Sequence, residues 1–173
     1  ITYRVAETWD TPVNEFQIYL MCGSSIEEDH SLINAHSMMG YFSGMQKSKI
    51  QITLKMREGW EIGTALSGSG NTYTAKDYDH AVDSPILMGK LTYAETKIAN
   101  SKVEIFTYSA NDKISSQRLL ESMSSMLDAT KDFLIDLPVD RYTFLYHFEP
   151  NPPGQTGAWE HSYSSEYALT END

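Results

Sequence analysis

The sequence is poor in cysteine, in long apolar runs and in basic residues. Cys22 is the only cysteine among 173 residues, which excludes an internal disulfide and a cysteine-based metal cluster. No apolar run reaches the roughly 20 residues that a membrane-spanning helix needs. Thirteen Lys and Arg face 24 Asp and Glu, giving a formal net charge of −11. This balance argues against a nucleic-acid surface, which needs clustered cations, and against binding to an anionic membrane.

The sequence also lacks the zinc motif His-Glu-x-x-His, which places two ligands on one helix face with a general base between them. Five histidines are present: His30, His36, His80, His147 and His161. The six-residue spacing of His30 and His36 fits neither a helical ligand pair nor a ligand knuckle, so it predicts a solvated loop. The sequence therefore predicts that this chain alone binds no catalytic metal.

The remaining composition is that of an ordinary globular protein, with 40% hydrophobic and 21% charged residues. The length suits one domain, or one small domain with part of another. The chain starts at Ile1 within strand-like sequence and ends at Asp173 without a clear stop. We therefore expect these residues to be a piece of a longer protein.

The first half shows the two-residue periodicity of half-buried strands. Ile1–Trp9 alternates between larger apolar and smaller or polar residues, and Ile50–Arg57 alternates most cleanly. Val13–Met21 and Trp60–Leu66 are further predicted strands, whereas Cys22–His36 is predicted as a loop or short helix and 67–71 as a turn. This half is predicted to be antiparallel and sandwich-like.

The second half combines strands with one long helix. Residues 77–85 predict a helical turn that ends at Pro85, and we place a domain boundary directly after it. An apolar stripe at intervals of three and four residues predicts a helix over 113–136, capped by Asp112 or Ser115. Predicted strands cover residues 86–98, 102–108, 141–148 and 159–167.

A stiff, turn-rich segment of three prolines and two glycines, 150–157, precedes the last predicted strand. It delivers the carboxylate of Glu160 between Trp159 and His161. An acid held there can bind an ammonium group or polarise a proton. The alternative is an edge strand on which both Glu160 and His161 are merely solvated.

The order of these motifs resembles the glycyl aminopeptidase family, zinc peptidases related to aminopeptidase N and to the thermolysin-like clan. The resemblance runs through REGWEIGTAL, YTAKDYDHAVDSPILMG and LPVDRYTFLYHF to GAWEHSYS. The last of these corresponds to the family's Gly-Gly-Leu-Glu-His-type motif. The chain departs from that motif by carrying Ala158 and Trp159 where Gly and Leu are usual.

The resemblance implies an α+β fold in which residues 1–85 form part of a β-sandwich-like N-terminal domain. Residues 86–173 would then begin an incomplete thermolysin-like catalytic domain, with its mixed sheet and first helix. It also implies that the parent protein is a zinc aminopeptidase hydrolysing the N-terminal bond of peptides. This chain, without the zinc motif, would be inactive alone, and the zinc would belong to the full-length parent.

The resemblance further implies a set of substrate-binding residues: Gly157, Ala158, Trp159, Glu160 and His161. Glu160 corresponds to the acid that anchors the α-amine of a peptide, while Gly157 and Ala158 would let a substrate backbone approach closely. The bulky indole of Trp159 would narrow the first pocket. Self-association through the truncated sheet edge is also expected. The compartment stays open, with extracytoplasmic relatives as a hint.

Three other interpretations remain open. One is a standalone β-rich module that binds a peptide or glycan through an exposed aromatic set, namely Trp9, Tyr41, Trp60, Tyr73, Tyr78 and Trp159. Another is a small hydrolase pairing Glu160 with His147, His161 or Glu166. The third is an adventitious metal site formed by His147, Glu149 and His161, for which ion pairing in solvent is the simpler explanation.

Overall fold

The computed structural model describes residues 1–6, 8–9, 19–134, 137–150 and 156–171, apart from the side chain of Leu20. These residues form strands β1 Ser25–Ile26, β2 His30–Ile33, β3 Ile50–Thr53, β4 Glu61–Thr64, β5 Ser67–Ser69, β6 Thr72–Ala75, β7 Ile86–Gly89, β8 Thr92–Ile98, β9 Ser101–Ser109, β10 Arg141–Glu149, β11 Gly157–Glu160 and β12 Ser164–Thr170. The α-helices are α1 Ala35–Met38, α2 Tyr78–Val82 and α3 Ser116–Leu134, and Leu20–Cys22 is a 3-10 turn.

Two antiparallel sheets form the sandwich. The first has the order β1-β2-β7-β4 and the second the order β3-β6-β5. Alternate residues of a strand point to opposite faces, so each sheet can turn one apolar set toward the other. The core between them contains Ile33, Ile62, Ile86 and Met88 from the first sheet and Ile50, Ile52, Tyr73 and Ala75 from the second. The predicted sandwich-like character of the first half is confirmed.

A mixed sheet of order β11-β12-β10-β9-β8 packs against the other face of the first sheet. Strands β9, β10 and β12 run parallel to one another, whereas β8 and β11 are antiparallel edges. Leu32 and Leu87 of the first sheet meet Tyr108, Leu145 and Ala168 of the mixed sheet in one core. The predicted combination of antiparallel sheets, a mixed sheet and few helices is confirmed.

Helix α3 covers the outer face of the mixed sheet. Its residues Leu119, Leu120 and Met123 pack on Ile105, Tyr146 and Phe148, which makes the apolar stripe the buried side of an amphipathic helix. The Ser115 hydroxyl accepts from the Arg118 backbone N–H at 3.3 Å, as an N-cap does. Within the described residues, no helix is both long enough and apolar enough to span a bilayer.

Several predicted elements were wrong. The described part of 1–9 contains no strand, and most of the predicted strand 13–21 lies outside the described residues. The segment 22–36, predicted as a loop or short helix, instead contains β1 and β2, which pair with each other, and β2 also pairs with β7. Helix α1 begins only at Ala35. These strands bury the polar residues Ser25, His30 and Ser31, so their composition imitated a loop.

Turns divide two of the predicted long strands. Residues 86–98 form β7 and β8, and 159–167 spans parts of β11 and β12. The predicted turn at 67–71 includes strand β5, which pairs with β6 around Gly70. The domain division after Pro85 stays a prediction. Strand β7 lies beyond it in sequence and still hydrogen-bonds to β2 and β4 of the sandwich.

Candidate functional site

The edge strand β11 carries the Gly-Ala-Trp-Glu segment and stands at one end of the mixed sheet. It pairs antiparallel with β12, with Trp159 opposite Glu166 and Glu160 opposite Ser165. Ala158 and Glu160 are exposed, whereas Gly157 and Trp159 are half-buried. This alternation directs Glu160 to solvent and Trp159 to the protein interior.

The Trp159 indole packs toward the sandwich and away from the Glu160 side of the strand. It lies edge-on to His36, with ring centroids 5.1 Å apart, and tilted against His161 at 5.5 Å. It also packs on the core between the first sheet and the mixed sheet. Because the indole points to the opposite face of the strand, we no longer expect it to narrow a pocket at Glu160.

The 3-10 turn that precedes β1 packs against the start of β11. A Cβ added at Gly157 would lie 2.7 Å from Met21 Cγ, so glycine is required by the close approach of this buried methionine. The Tyr19 hydroxyl donates to the Ala158 carbonyl at 3.3 Å. The space at Gly157 is therefore filled by the protein itself, and a peptide backbone would approach β11 along its outer edge.

Asp83, directly after α2, holds the turn that follows β11. Its Oδ1 lies 3.2 Å from His161 Nδ1, and its Oδ2 accepts from the Ser162 backbone N–H at 3.1 Å. The backbone N–H of His161 also donates to the Ser164 carbonyl at 2.8 Å, which closes the connection between β11 and β12. The His161 side chain is 4% exposed, so its geometry suits positioning of β11 better than contact with substrate.

Glu166 lies on β12 directly opposite Trp159, and its carboxyl is fully buried. The Nε2 atom of His161 is 3.7 Å from Glu166 Oε1. Within the described part of the chain, neither Glu166 oxygen has a hydrogen-bond partner. Burial raises the pKa of Glu166, and interaction with His161 offsets this only in part. Glu160 is on the opposite face of the sheet from this acid, so the two do not form the carboxylate pair that a glycosidase-like hydrolase needs.

The structure changes the grouping of the other predicted polar residues. His147 and Glu149 lie on one face of β10, as their spacing suggested, but their third partner is His30 of β2 rather than His161. His30 and His147 are 2% and 1% exposed, so the predictions of a solvated loop at His30 and of ion pairing in solvent at His147 were wrong. A histidine in a short polar segment gave no signal of this burial, because its partners come from distant strands.

Comparison with known proteins matches part of this chain to a protein family. Residues 1–90, just over half of the chain, match the family described as the Peptidase M61 N-terminal domain. The chain belongs to the Peptidase M61 N-terminal domain family. The resemblance to zinc aminopeptidases drawn from the sequence motifs is thereby confirmed at the level of the family.

One solved structure shows the same fold for most of this chain. An aminopeptidase N family protein from Idiomarina loihiensis matches 85% of the chain with a TM-score of 0.71 at 19% identity. An M1 zinc metallopeptidase from Deinococcus radiodurans matches 69% of it at 10% identity with a TM-score of 0.38, too low to support an argument. The M61 chain spans 26% and 29% of these two proteins, respectively. No curated protein matches it.

Proposed function

We propose that this M61 chain is the N-terminal portion of an aminopeptidase and that β11 receives the amino end of a peptide substrate. Glu160 binds the α-ammonium group, and the outer edge of β11 guides the peptide backbone. The substrate-binding set is Gly157, Ala158, Trp159, Glu160 and His161, with Glu160 in contact with the substrate. Gly157, Trp159 and His161 set the position of the strand.

The observation that carries this proposal is the exposed carboxylate at the end of an edge strand. An edge strand offers backbone groups to which an extended peptide can add as a further strand. On β11 the Ala158 carbonyl already accepts from the Tyr19 hydroxyl, which a peptide pairing at that position would displace. A carboxylate at the end of that strand marks where the peptide must begin, since a charged amine there gains a charge-assisted hydrogen bond. An acetylated or internal peptide segment has no such charge.

The contacts that hold β11 in place support this role. Asp83 fixes the turn at His161 and Ser162, and Met21 fills the space at Gly157. Both ends of the four-residue strand are therefore held by contacts outside the mixed sheet. A preorganised strand loses less conformational entropy when a peptide binds.

The hydrolytic step needs groups that these 173 residues do not contain. The sequence has no His-Glu-x-x-His segment, so it does not fit the helix-borne zinc site of such peptidases. We propose that the parent protein supplies zinc ligands outside this chain and that this chain contributes the sandwich and the substrate edge. The division into 1–85 and 86–173 belongs to the same proposal.

The test compares peptides with free and acetylated amino ends, using the protein that contains this chain together with its catalytic residues. Glu160→Gln keeps the side-chain shape and removes the charge. We expect it to lower kcat/KM for free-amine peptides by about 10- to 100-fold, the range of one hydrogen bond to a charged group. Glu61→Gln is the matched control, because Glu61 is also an exposed glutamate on an edge strand.

Two results would contradict the proposal. One is equal cleavage of free-amine and acetylated peptides by the unmodified protein, which would remove the aminopeptidase assignment. The other is aminopeptidase activity that Glu160→Gln and Glu61→Gln leave equally unchanged, which would remove Glu160 from the substrate site.

The standalone binding module is not favoured by the aromatic side chains. Trp9 and Tyr73 are 8% and 9% exposed and belong to the core, and Trp60 and Tyr78 are half-buried. Tyr41, 56% exposed, is the one member of the proposed aromatic set that is not buried or half-buried. A single exposed ring does not make a platform for a glycan or a peptide.

A further inference from the structure

Two histidines and a glutamate meet between the sandwich and the mixed sheet. His30 comes from β2, and His147 and Glu149 come from β10. The side chains of His30 and His147 are almost fully buried, and that of Glu149 is 20% exposed. His30 and His147 are 117 positions apart in sequence, so the fold alone creates this group.

Three potential ligand atoms converge on one point. His30 Nε2 and His147 Nε2 are 2.8 Å apart. Glu149 Oε1 lies 3.1 Å from His30 Nε2 and 3.4 Å from His147 Nε2. Ligand atoms at zinc-bond lengths around one tetrahedral ion are about 3.3 Å apart. The observed triangle therefore needs only a small expansion to hold such an ion.

Outer residues orient His30 as they do in metal sites. Asp29 Oδ1 lies 2.9 Å from His30 Nδ1, and Asp29 Oδ2 accepts from the Tyr108 hydroxyl at 2.8 Å. A proton on Nδ1 leaves the Nε2 lone pair directed at His147 and Glu149, as in carboxylate–histidine–metal arrangements. The Tyr108 ring stacks on His30 with centroids 4.0 Å apart, which restricts rotation of the imidazole.

Two carboxylates give the cluster a negative charge when both imidazoles are neutral. Two Nε2 atoms 2.8 Å apart can share only one proton, and the Glu149 oxygen faces both of them. With neutral imidazoles, Glu149 and Asp29 supply two negative charges, which a dication would balance. Coordination through His147 Nε2 places the ring proton on Nδ1, which has no hydrogen-bond partner among the described residues.

We propose that His30, His147 and Glu149 bind a divalent transition-metal ion of the zinc type that joins the sandwich to the mixed sheet. Two imidazole nitrogens and one carboxylate oxygen are a donor set suited to zinc. The site is independent of the substrate edge at Glu160 and of any zinc bound by the parent's catalytic residues. Its role is structural, since the ligands come from strands of two different sheets.

The test is zinc titration of the metal-depleted 173-residue chain, followed by calorimetry and by metal analysis after dialysis. We expect one equivalent of zinc and a higher melting temperature in its presence. Glu149→Gln and His147→Gln should abolish the bound equivalent, and His80→Gln, which changes a histidine outside the cluster, should not. Asp29→Asn should weaken zinc binding by about 10- to 100-fold, as loss of an outer-shell partner does.

Asp29 is 72% exposed, so Asp29→Asn keeps the test decisive if the buried variants do not fold. In the longer protein, Glu149→Gln should lower the zinc count by one. Cobalt substitution should add visible absorption bands that Glu149→Gln removes. Absence of bound zinc, or equal binding by His147→Gln and His80→Gln, would overturn the proposal.

Discussion

Gly63 on β4 lies where the first sheet packs against the mixed sheet, and Gly63→Ala tests this packing. A Cβ added at Gly63 would lie 2.5 Å from Phe106 Cγ and 2.6 Å from Phe106 Cβ. Real carbon atoms do not approach so closely, and the Cβ of Phe106 cannot move without its strand β9. The substitution therefore forces the two sheets apart.

Overpacking of this kind costs about 1–3 kcal/mol of unfolding free energy. Replacing glycine also restricts the unfolded chain, which returns about 0.4–1 kcal/mol. Gly40→Ala is the control for the second effect, because a Cβ at Gly40 meets no atom within 4 Å. Relative to Gly40→Ala, we expect Gly63→Ala to lower the free energy of unfolding by about 1–3 kcal/mol, or the melting temperature by about 2–12 °C.

The assay is urea unfolding followed by circular dichroism, with thermal unfolding as a second measure. Unchanged m-values would show that the two variants unfold to comparable states. If Gly63→Ala were as stable as Gly40→Ala, the contact between β4 and β9 would be wrong, and with it the packing of the sandwich on the mixed sheet.

Two further predictions concern the buried carboxyls of Glu171, which directly follows β12, and of Glu166 within β12. Burial raises the pKa of Glu171, but hydrogen bonds from Ser109 and from the Asn111 and Lys113 backbone outweigh it and leave the pKa lowered. Glu171→Gln should thus lower the free energy of unfolding by about 1–3 kcal/mol at neutral pH. Urea unfolding at several pH values should show this difference shrinking as the pH falls below 4.5, and a pH-independent difference would refute the prediction. The pKa of Glu166 is raised by burial, so the free energy of unfolding of the unmodified protein should fall as the pH rises above 4.5. Glu166→Gln should not show this fall. A difference in unfolding free energy between the two proteins that is constant across pH would contradict the prediction.

The elements that could be predicted from sequence are those whose residues carry their own periodicity or cap. The alternation in Ile50–Thr53 gives a half-exposed strand, and the stripe of α3 together with the Ser115 cap gives the helix. Asp77 accepts from the His80 backbone N–H and caps α2 in the same local way. Local patterns were sufficient here because the chemistry that forms these elements lies within a few residues.

The candidate site could be predicted only in part, because the residues that hold β11 in place are distant from it in sequence. The motif at 157–161 located Glu160 and its strand, but not the contribution of Met21 to Gly157 or of Asp83 to His161. Strand β2 was missed because a buried His30 resembles a solvated one until His147 is placed against it. Long-range polar pairs leave no periodic signal in either partner.

The most direct test of Glu160 as the anchor for a peptide amine is equilibrium binding of a poorly hydrolysed peptide to the longer protein. Titration calorimetry would compare the free-amine and acetylated forms of the same peptide, with unmodified protein and with Glu160→Gln. We predict that the unmodified protein binds the free-amine form at least tenfold more tightly, as one charge-assisted hydrogen bond allows, and that Glu160→Gln removes this preference. An equal preference for the free amine in both proteins would contradict the account.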